Sequence, residues 1–479
     1  MKYDVVVVGA GILGCLTARE LMKYKLDVLV IDKESDIGEG ASKANSGVLY
    51  AGFHPRGGSL KGISCAEGNR LHGQLCRDLD VPMEYVGSLF VAFHDEGLEH
   101  IKDKMKKGIK NGVPDMKMIS GDEARAMEPL LSKDVIGAMY APTTGIISPL
   151  KLVLNAGLNA AENGVQFMFD TMVENIESAS GGYVIHTNRG KVEAGFVVNT
   201  SGEGAAELEA HVRPRSLEIK PKRGEYLVFD CPSPIKHVIY QAQEKDEKGT
   251  LLAPTVDGNM IAGPTSYTAR NYKSTETTQK GIDHITKVAR KILPELDMGT
   301  VIASFAGIRA NIENVPKEEK DFVVRLSADR FVSALGIKNP GMTASPYLVQ
   351  KIVGLMQEAG LSTEINPEFD PVYRAKPLFL KASPQQQAAM LAENPAYGKA
   401  VCRCEGITEG DILAVLDSAL PPHSLNGLKK RVRTGMGRCQ GGFCTSEIID
   451  ILSREWNVPP ENIFKNGPGS PVVKGRVRP

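Results

Sequence analysis

The chain has 479 residues, which at roughly 100–200 residues per domain predicts two to four domains with sizeable buried cores. Lys plus Arg and Asp plus Glu are each 57, so the formal net charge is zero, which excludes wholesale electrostatic binding of nucleic acid or an anionic membrane. At 42% hydrophobic and 24% charged residues the composition is that of an ordered globular protein. The longest apolar-plus-glycine run, residues 5–16, falls short of the ~18 residues a spanning helix needs and lacks a signal-peptide cleavage pattern. A soluble cytoplasmic protein is expected, with no membrane span and no nucleic-acid partner.

Tyr3-Asp4-Val5-Val6-Val7-Val8 is a β-branched run of strand length. Gly9-Ala10-Gly11-Ile12-Leu13-Gly14 follows at once, then a helix over 15–22, then a second apolar strand over 27–31 that ends at Asp32. This is the dinucleotide fingerprint in its required context. Gly9 serves the tight turn, Gly11 the approach of a pyrophosphate, and Gly14 close packing of helix on strand. The helix amino terminus offers unpaired N–H groups to phosphates, and Asp32 can accept hydrogen bonds from a ribose diol while repelling a 2′-phosphate. No second fingerprint appears, since Gly202-Glu203-Gly204 lacks the third glycine. One dinucleotide site must therefore hold the redox cofactor, which favours a flavin over a nicotinamide.

Residues 38–54 are rich in small side chains, suited to passing close to a bulky ligand or to forming an ordinary polar loop. Residues 191–202 read as a hairpin running into a buried strand, and 330–336 as another strand. A glycine-containing turn over 337–346 leads into a helix over 347–358. Five prolines punctuate 367–397, which reads as an extended tether with one short helix.

Eight cysteines in a chain of this size do not make a disulfide scaffold. Cys15, Cys65, Cys76 and Cys231 are scattered and read as packing residues. Cys402, Cys404, Cys439 and Cys444 crowd the end of the chain as C-x-C, 34 residues, C-x4-C. Four thiolates suit zinc or an iron–sulfur cluster, with a redox disulfide as a third option; neither pair has the C-x2-C spacing of a zinc knuckle. Glycines around Cys439 let backbone N–H groups turn inward, and both they and a helix start at Cys444 would stabilise an anionic cluster. Thr408 with Asp411 reads as a capping box, and Thr445 as the cap of a helix over 446–456. From residue 401 onward eleven Lys and Arg face eight Asp and Glu, a net of +3. The basic run 429–438 would offset the cluster's charge or, as the second choice, steer an acidic electron carrier.

Gly9 to Gly14, Asp32, Asn45-Ser46-Gly47, Gly58-Ser59-Leu60-Lys61, Gly145-Ile146-Ile147-Ser148-Pro149 and Gly336-Ile337-Lys338-Asn339-Pro340-Gly341-Met342-Thr343 stand in the order found in D-amino-acid-oxidase-like FAD-dependent oxidoreductases. Within that superfamily the chain resembles anaerobic-type glycerol-3-phosphate dehydrogenases and L-2-hydroxyglutarate dehydrogenases. Residues 398–479 are similar to the [2Fe-2S] module of bacterioferritin-associated ferredoxin. The resemblance implies an α/β protein. A discontinuous Rossmann-like FAD domain would take residues 1–75, 145–215 and 305–365, and an α+β substrate domain 76–144 and 216–304. A linker over 366–397 would then lead to a small helical iron–sulfur domain. It implies FAD binding through Gly9, Gly11, Ile12, Leu13, Gly14, Asp32, Lys33, Ser42, Asn45, Ser46, Gly47, Val173, Gly202, Gly336, Gly341, Met342 and Thr343. The cluster ligands would be Cys402, Cys404, Cys439 and Cys444.

Many relatives carry a histidine where this chain has Tyr50. A phenol of pKa ~10 would need strong depression to act as base, whereas His54 titrates near neutrality unaided. His54 is therefore the expected base, with Arg309 and Lys338 gripping an anionic substrate and Lys61 and Arg223 as further cations. The implied reaction is oxidation of a small anionic hydroxy compound, glycerol 3-phosphate first, with a 2-hydroxy acid such as L-2-hydroxyglutarate, or an amino acid, as the alternatives. A one-electron cluster favours a dehydrogenase that delivers electrons to a protein or quinone acceptor or a second flavoprotein subunit. The competing class is an electron-transfer subunit with no small-molecule substrate of its own.

Overall fold

The first strand, Lys2–Val8, has four consecutive valines buried to 7% exposure or less, the pattern of a strand covered on both faces. It is the centre of an eight-stranded sheet whose parallel core runs Gln166–Met168, Val28–Ile31, Lys2–Val8, Gly190–Asn199 and Phe331–Leu335. Val173–Ala179 and Gly182–Thr187 extend one side as a hairpin, whereas the hairpin expected over 191–202 is a single strand, Gly190–Asn199, and Val323–Ala328 pairs antiparallel with Phe331–Leu335. The structure is a computed structural model that describes residues 1–242, 250–316 and 320–475. Residues 243–249, 317–319 and 476–479, which fall within the expected substrate, FAD and iron–sulfur domains, lie outside the described residues.

Three helices pack on one face of this sheet. Ile12–Leu21 lies against Pro149–Glu162 and Gly341–Glu358, and together they enclose the largest apolar cluster. Close approach is built in: a Cβ on Gly14 would run into the carbonyl of Gly9, and one on Gly68 into the carbonyl of Thr343. Gly341–Glu358 starts six residues earlier than the helix expected from sequence, inside the expected turn, and carries Pro346 inside it. The proline cannot donate to the Met342 carbonyl, and that oxygen instead accepts from Ser345 Oγ at 2.8 Å and meets His72 Nε2 at 3.1 Å.

A nine-stranded mixed sheet forms the second layer, with Ile219–Phe229 along Val301–Ile312 for eleven residue pairs and a parallel junction between Val238–Gln241 and Ser88–Ala92. Gly224 stands opposite Gly307 in that register, and Gly307 lets the Ala44 carbonyl come against the strand. The loop after Val28–Ile31 is thereby clamped between the two sheets.

The stretch expected to be a bare tether is strapped down. Phe369 and Tyr373 pack on the first core, and Arg19 donates to Pro371 O at 2.7 Å. Its one expected helix is Pro384–Glu393, closed by a Ser383–Gln386 capping box. Beyond it a small module has its own core around Ile407, Leu428, Val432 and Leu452. Thr408 and Asp411 form the expected capping box there. The last long helix begins at Cys444, with Phe443 at the cap position and no side-chain cap; Thr445 donates back to Gly441 O instead.

Candidate active site

An elongated cavity of about 1150 Å³ runs between the two sheets. At one end it meets the turn Gly9–Gly11. Gly9 has φ +110°, and a Cβ there would overlap the Thr200 carbonyl, so only glycine makes this turn. Ser42 Oγ accepts from Ile12 N at 3.0 Å, which draws the 38–47 loop over the helix amino terminus. Asp32 accepts from Ala10 N at 2.6 Å and Glu34 N at 2.9 Å. Burial raises its carboxyl to about 6 against these two N–H donors, so it is mostly ionised at neutral pH and can still receive ribose hydroxyls. Lys33, Val173 and Gly202 line the same end, with Lys33 paired to Glu203 at 2.5 Å.

Met342, Gly341, Thr343, Asn45 and Ser46 line the middle. Thr343 Oγ1 accepts from Tyr50 N at 3.1 Å, joining the Gly341–Glu358 helix to the loop opposite. Gly14, Gly47 and Gly336 are off the wall. Gly14 packs helix on strand, while Gly47 (φ +66°) and Gly336 (φ +67°) turn the backbone behind the lining residues.

The far end is aromatic and cationic. Tyr50, His54, Tyr226, Tyr240, Arg309 and Lys338 all reach it. The His54 ring stands edge-on to Tyr240 at 4.8 Å and to Phe90 at 5.6 Å, and its Nε2 is buried without a hydrogen-bond partner. Burial, followed by repulsion from Lys104 and His100, pushes this imidazole well below its usual range. The near-neutral titration expected for it is thus corrected: His54 is held neutral. Tyr50 moves the wrong way for a base. Burial raises its phenol despite hydrogen bonds with Ser46 and Asn339, so Tyr50 keeps its proton.

Arg309 Nη2 is anchored on Thr265 O at 2.8 Å, and the bare α-carbon of Gly224 makes room for the guanidinium. Lys338 is anchored on Asn311 Oδ1. Burial and then the positive field of Lys61, Lys320, Arg309 and Lys222 lower its ammonium to about 8. Cations that repel one another at the edge of a cavity await an anion. Two expected cations are elsewhere. Arg223 is spent on Glu225 and Glu276, and Lys61 lies over the Phe322 ring at 5.4 Å, behind the wall.

Sequence reasoning missed Tyr226 and Tyr240, which sit on ordinary-looking strands, and His100 and Lys104, which bring a helix face to the His54 end. The (i, i+4) spacing of His100 and Lys104 on Asp95–Asn111 was the one available signal.

In the small module the four cysteine sulfurs gather as two pairs. Cys404 Sγ lies 3.3 Å from Cys439 Sγ, and Cys402 faces Cys444. Among the described residues no three ligands close around one point as for a single ion. The Cys404 thiol, followed by the N–H groups of Phe443 and Gly441, lowers the Cys439 thiol; burial raises Cys444 to about 11. The basic run was expected to offset this anionic centre. Instead, Lys430 and Arg431 reach across to Asp36 and Glu39 in the loop after Val28–Ile31, all four side chains being under 10% exposed.

The FAD dependent oxidoreductase family matches residues 4–353. The chain belongs to that family. A BFD-like [2Fe-2S] binding domain matches residues 400–454, which hold all four clustered cysteines. The oxidoreductase is 37% identical to a glycerol 3-phosphate dehydrogenase of Caloramator mitchellensis over 99% of both chains. It is 26% identical to one of the subunits of the anaerobic glycerol-3-phosphate dehydrogenase of Haemophilus influenzae, covering 95% of this chain and 85% of that one. Among solved structures, FAD-bound L-α-glycerophosphate oxidase of Mycoplasma pneumoniae superposes with a TM-score of 0.74 at 26% identity, covering 79% of this chain and all of that one.

FAD and a [2Fe-2S] cluster are the cofactors of this oxidoreductase, and its geometry fits both. The cavity joins a helix amino terminus and a ribose-accepting carboxylate to a pocket with room for a ring system. The paired sulfurs suit two irons, each bound by two thiolates. No described helix is long and apolar enough to cross a membrane.

Proposed function

We propose that this oxidoreductase is a glycerol-3-phosphate dehydrogenase, oxidising the secondary hydroxyl of its substrate to the ketone of dihydroxyacetone phosphate. The observation that carries this reading is one cavity end that combines two anchored cations, Arg309 and Lys338, with a neutral imidazole whose Nε2 has no partner. Bound FAD supplies the two-electron oxidant and the cluster a one-electron exit. The Arg309 fork grips the phosphate through parallel hydrogen bonds, and the Lys338 ammonium neutralises it. His54 Nε2 takes the hydroxyl proton as the carbon-bound hydrogen leaves with its electron pair. Tyr50, held protonated, and Tyr226 orient the substrate by hydrogen bonding, while Phe90 and Tyr240 keep water from the imidazole. The Gly9–Gly14 turn, Asp32 and Ser42 bind the nucleotide half of FAD. Cys402, Cys404, Cys439 and Cys444 ligate the cluster.

The similarity to the Caloramator dehydrogenase through both modules supports the choice of substrate and of a dehydrogenase over an oxidase. Cys15, Cys65, Cys76 and Cys231, outside the cluster ligand set, stand as single thiols, which supports a reducing, cytoplasmic compartment. The Haemophilus relative is named as part of a multi-chain enzyme, which supports a protein acceptor.

Anaerobic mixing with a substrate panel tests the reading. Glycerol 3-phosphate is expected to bleach the flavin band at concentrations where 2-hydroxyglutarate and amino acids leave it unchanged. Faster bleaching by 2-hydroxyglutarate would reassign the substrate. Bleaching by a reduced partner protein alone would make the chain an electron-transfer subunit.

A further inference from the structure

The fold divides the basic residues of the small module into two groups. Lys430 and Arg431 are buried against the loop after Val28–Ile31, and Arg433 is paired with Glu405 at 2.9 Å. Arg403 and Arg438 are exposed and make no ion pair among the described residues. Both adjoin cluster cysteines: Arg403 separates Cys402 from Cys404, and Arg438 precedes Cys439. Phe443, next to Cys444, is 85% exposed, Met436 is 36% exposed, and Cys404 is itself at the surface. Cys404 Sγ lies 3.3 Å from Cys439 Sγ, whose thiol also meets the Phe443 N–H, so a bare phenylalanine and two unpaired arginines share one end of the module, the composition of an interface centre where aromatic and arginine anchors dominate.

We propose that this face is the electron-exit surface and that its partner is an acidic one-electron carrier protein, seated on Phe443 and steered by Arg403 and Arg438. The proposal rests on the dehydrogenase reading above. Oxidation of one hydroxyl to a carbonyl releases two electrons and two protons. Two one-electron carriers must therefore dock in succession, each taking up one electron. Repeated docking requires a fast, weak encounter, which a small patch with complementary charge provides.

The test uses the holoenzyme and two haem proteins of opposite charge, acidic cytochrome b5 and basic cytochrome c, with calorimetric titration as the primary readout. Cytochrome b5 is expected to bind more tightly than cytochrome c at low ionic strength and to lose affinity at least tenfold in about 0.2 M salt. The double variant R403E/R438E should weaken that binding at least tenfold, F443A several-fold, and cytochrome b5 reduction should fall in parallel. The visible and EPR spectra of the cluster should stay unchanged; where the double reversal disturbs them, R403Q/R438Q replaces it. Absence of cytochrome b5 binding, tighter binding of cytochrome c, or affinity within twofold of wild type in the charge variants would overturn the proposal. Flavin bleaching by glycerol 3-phosphate, measured on the same samples, reports separately on the dehydrogenase reading.

Discussion

Arg431 and Asp36, 395 residues apart in the chain, form a two-pronged buried ion pair, Nη1 to Oδ2 at 2.8 Å and Nη2 to Oδ1 at 3.1 Å. Lys430 adds a second cation to Asp36 at 2.8 Å and bonds Ile37 O at 3.0 Å. Glu39, its other partner, also lines the cavity. The clasp therefore ties the cysteine module to the loop that covers the nucleotide site, fixing one redox centre against the other.

Removing one side of this clasp leaves the other buried and uncompensated, which costs about 3–5 kcal/mol. Asp36→Asn is expected to undock the module: calorimetry should resolve a separate low-temperature transition, and protease should cut within residues 374–383. Burial alone would raise Asp36, but Arg431 and Lys430 outweigh it and hold the carboxyl at about 2, below its ordinary 3.8. A depressed carboxylate stabilises the folded state above its unfolded pKa and loses that contribution as it protonates. Undocking of the wild type by acid should accordingly fall between pH 4 and 2.

His54→Gln should lower kcat about 10²–10⁴-fold, the usual range for loss of a general base, with the flavin spectrum retained. Because burial, followed by repulsion from Lys104 and His100, holds the wild-type imidazole well below 6.5, the acid limb of kcat/KM should lie below the ordinary imidazole range. A limb at 6.5 or above would assign the proton transfer to another group.

Lys338 must be charged to hold an anion, and its ammonium is lowered to about 8. KM for glycerol 3-phosphate should rise as pH climbs through 8 while kcat holds. Lys338→Met should raise KM about tenfold at pH 7 and abolish this dependence, as read in steady-state kinetics with a small dye acceptor.

Cys404 is exposed, and replacing it with serine leaves the module's apolar core intact. Cys404→Ser is expected to strip the cluster, seen as loss of acid-labile sulfide and of the cluster's visible band. Substrate should still bleach the flavin at the wild-type rate. A slower rate would show that the cluster supports the substrate half-reaction too.

The dinucleotide turn was legible because its chemistry is local: Val5 to Val8, Gly9, Gly14 and Asp32 lie within one strand–helix–strand unit, where spacing alone fixes the geometry. The cysteines were legible as two local motifs, C-x-C and C-x4-C, but their pairing, Cys404 with Cys439 and Cys402 with Cys444, crosses between the motifs and came only with the fold. The substrate end was not, because its members, Arg309 on Val301–Ile312 among them, come from distant segments. Tyr50 and His54 follow a short strand, Lys104 sits on a helix, Tyr226 and Tyr240 are on strands of the second sheet, and Lys338 is in the turn after Phe331–Leu335. No spacing rule links them.

Sequence by itself determined the dinucleotide site and the layered α/β architecture, because strand burial and glycine turns are set by residues near one another in the chain, and it marked the four clustered cysteines as a ligand set. Only the tertiary structure decided which charges act on what. Arg223, Lys430 and Arg431 were spent on buried carboxylates and Arg309 and Lys338 were left at the cavity, while Tyr50 was kept protonated and His54 neutral. The sign and size of an electrostatic effect depend on burial and on partners brought together by folding, and neither is written in local sequence.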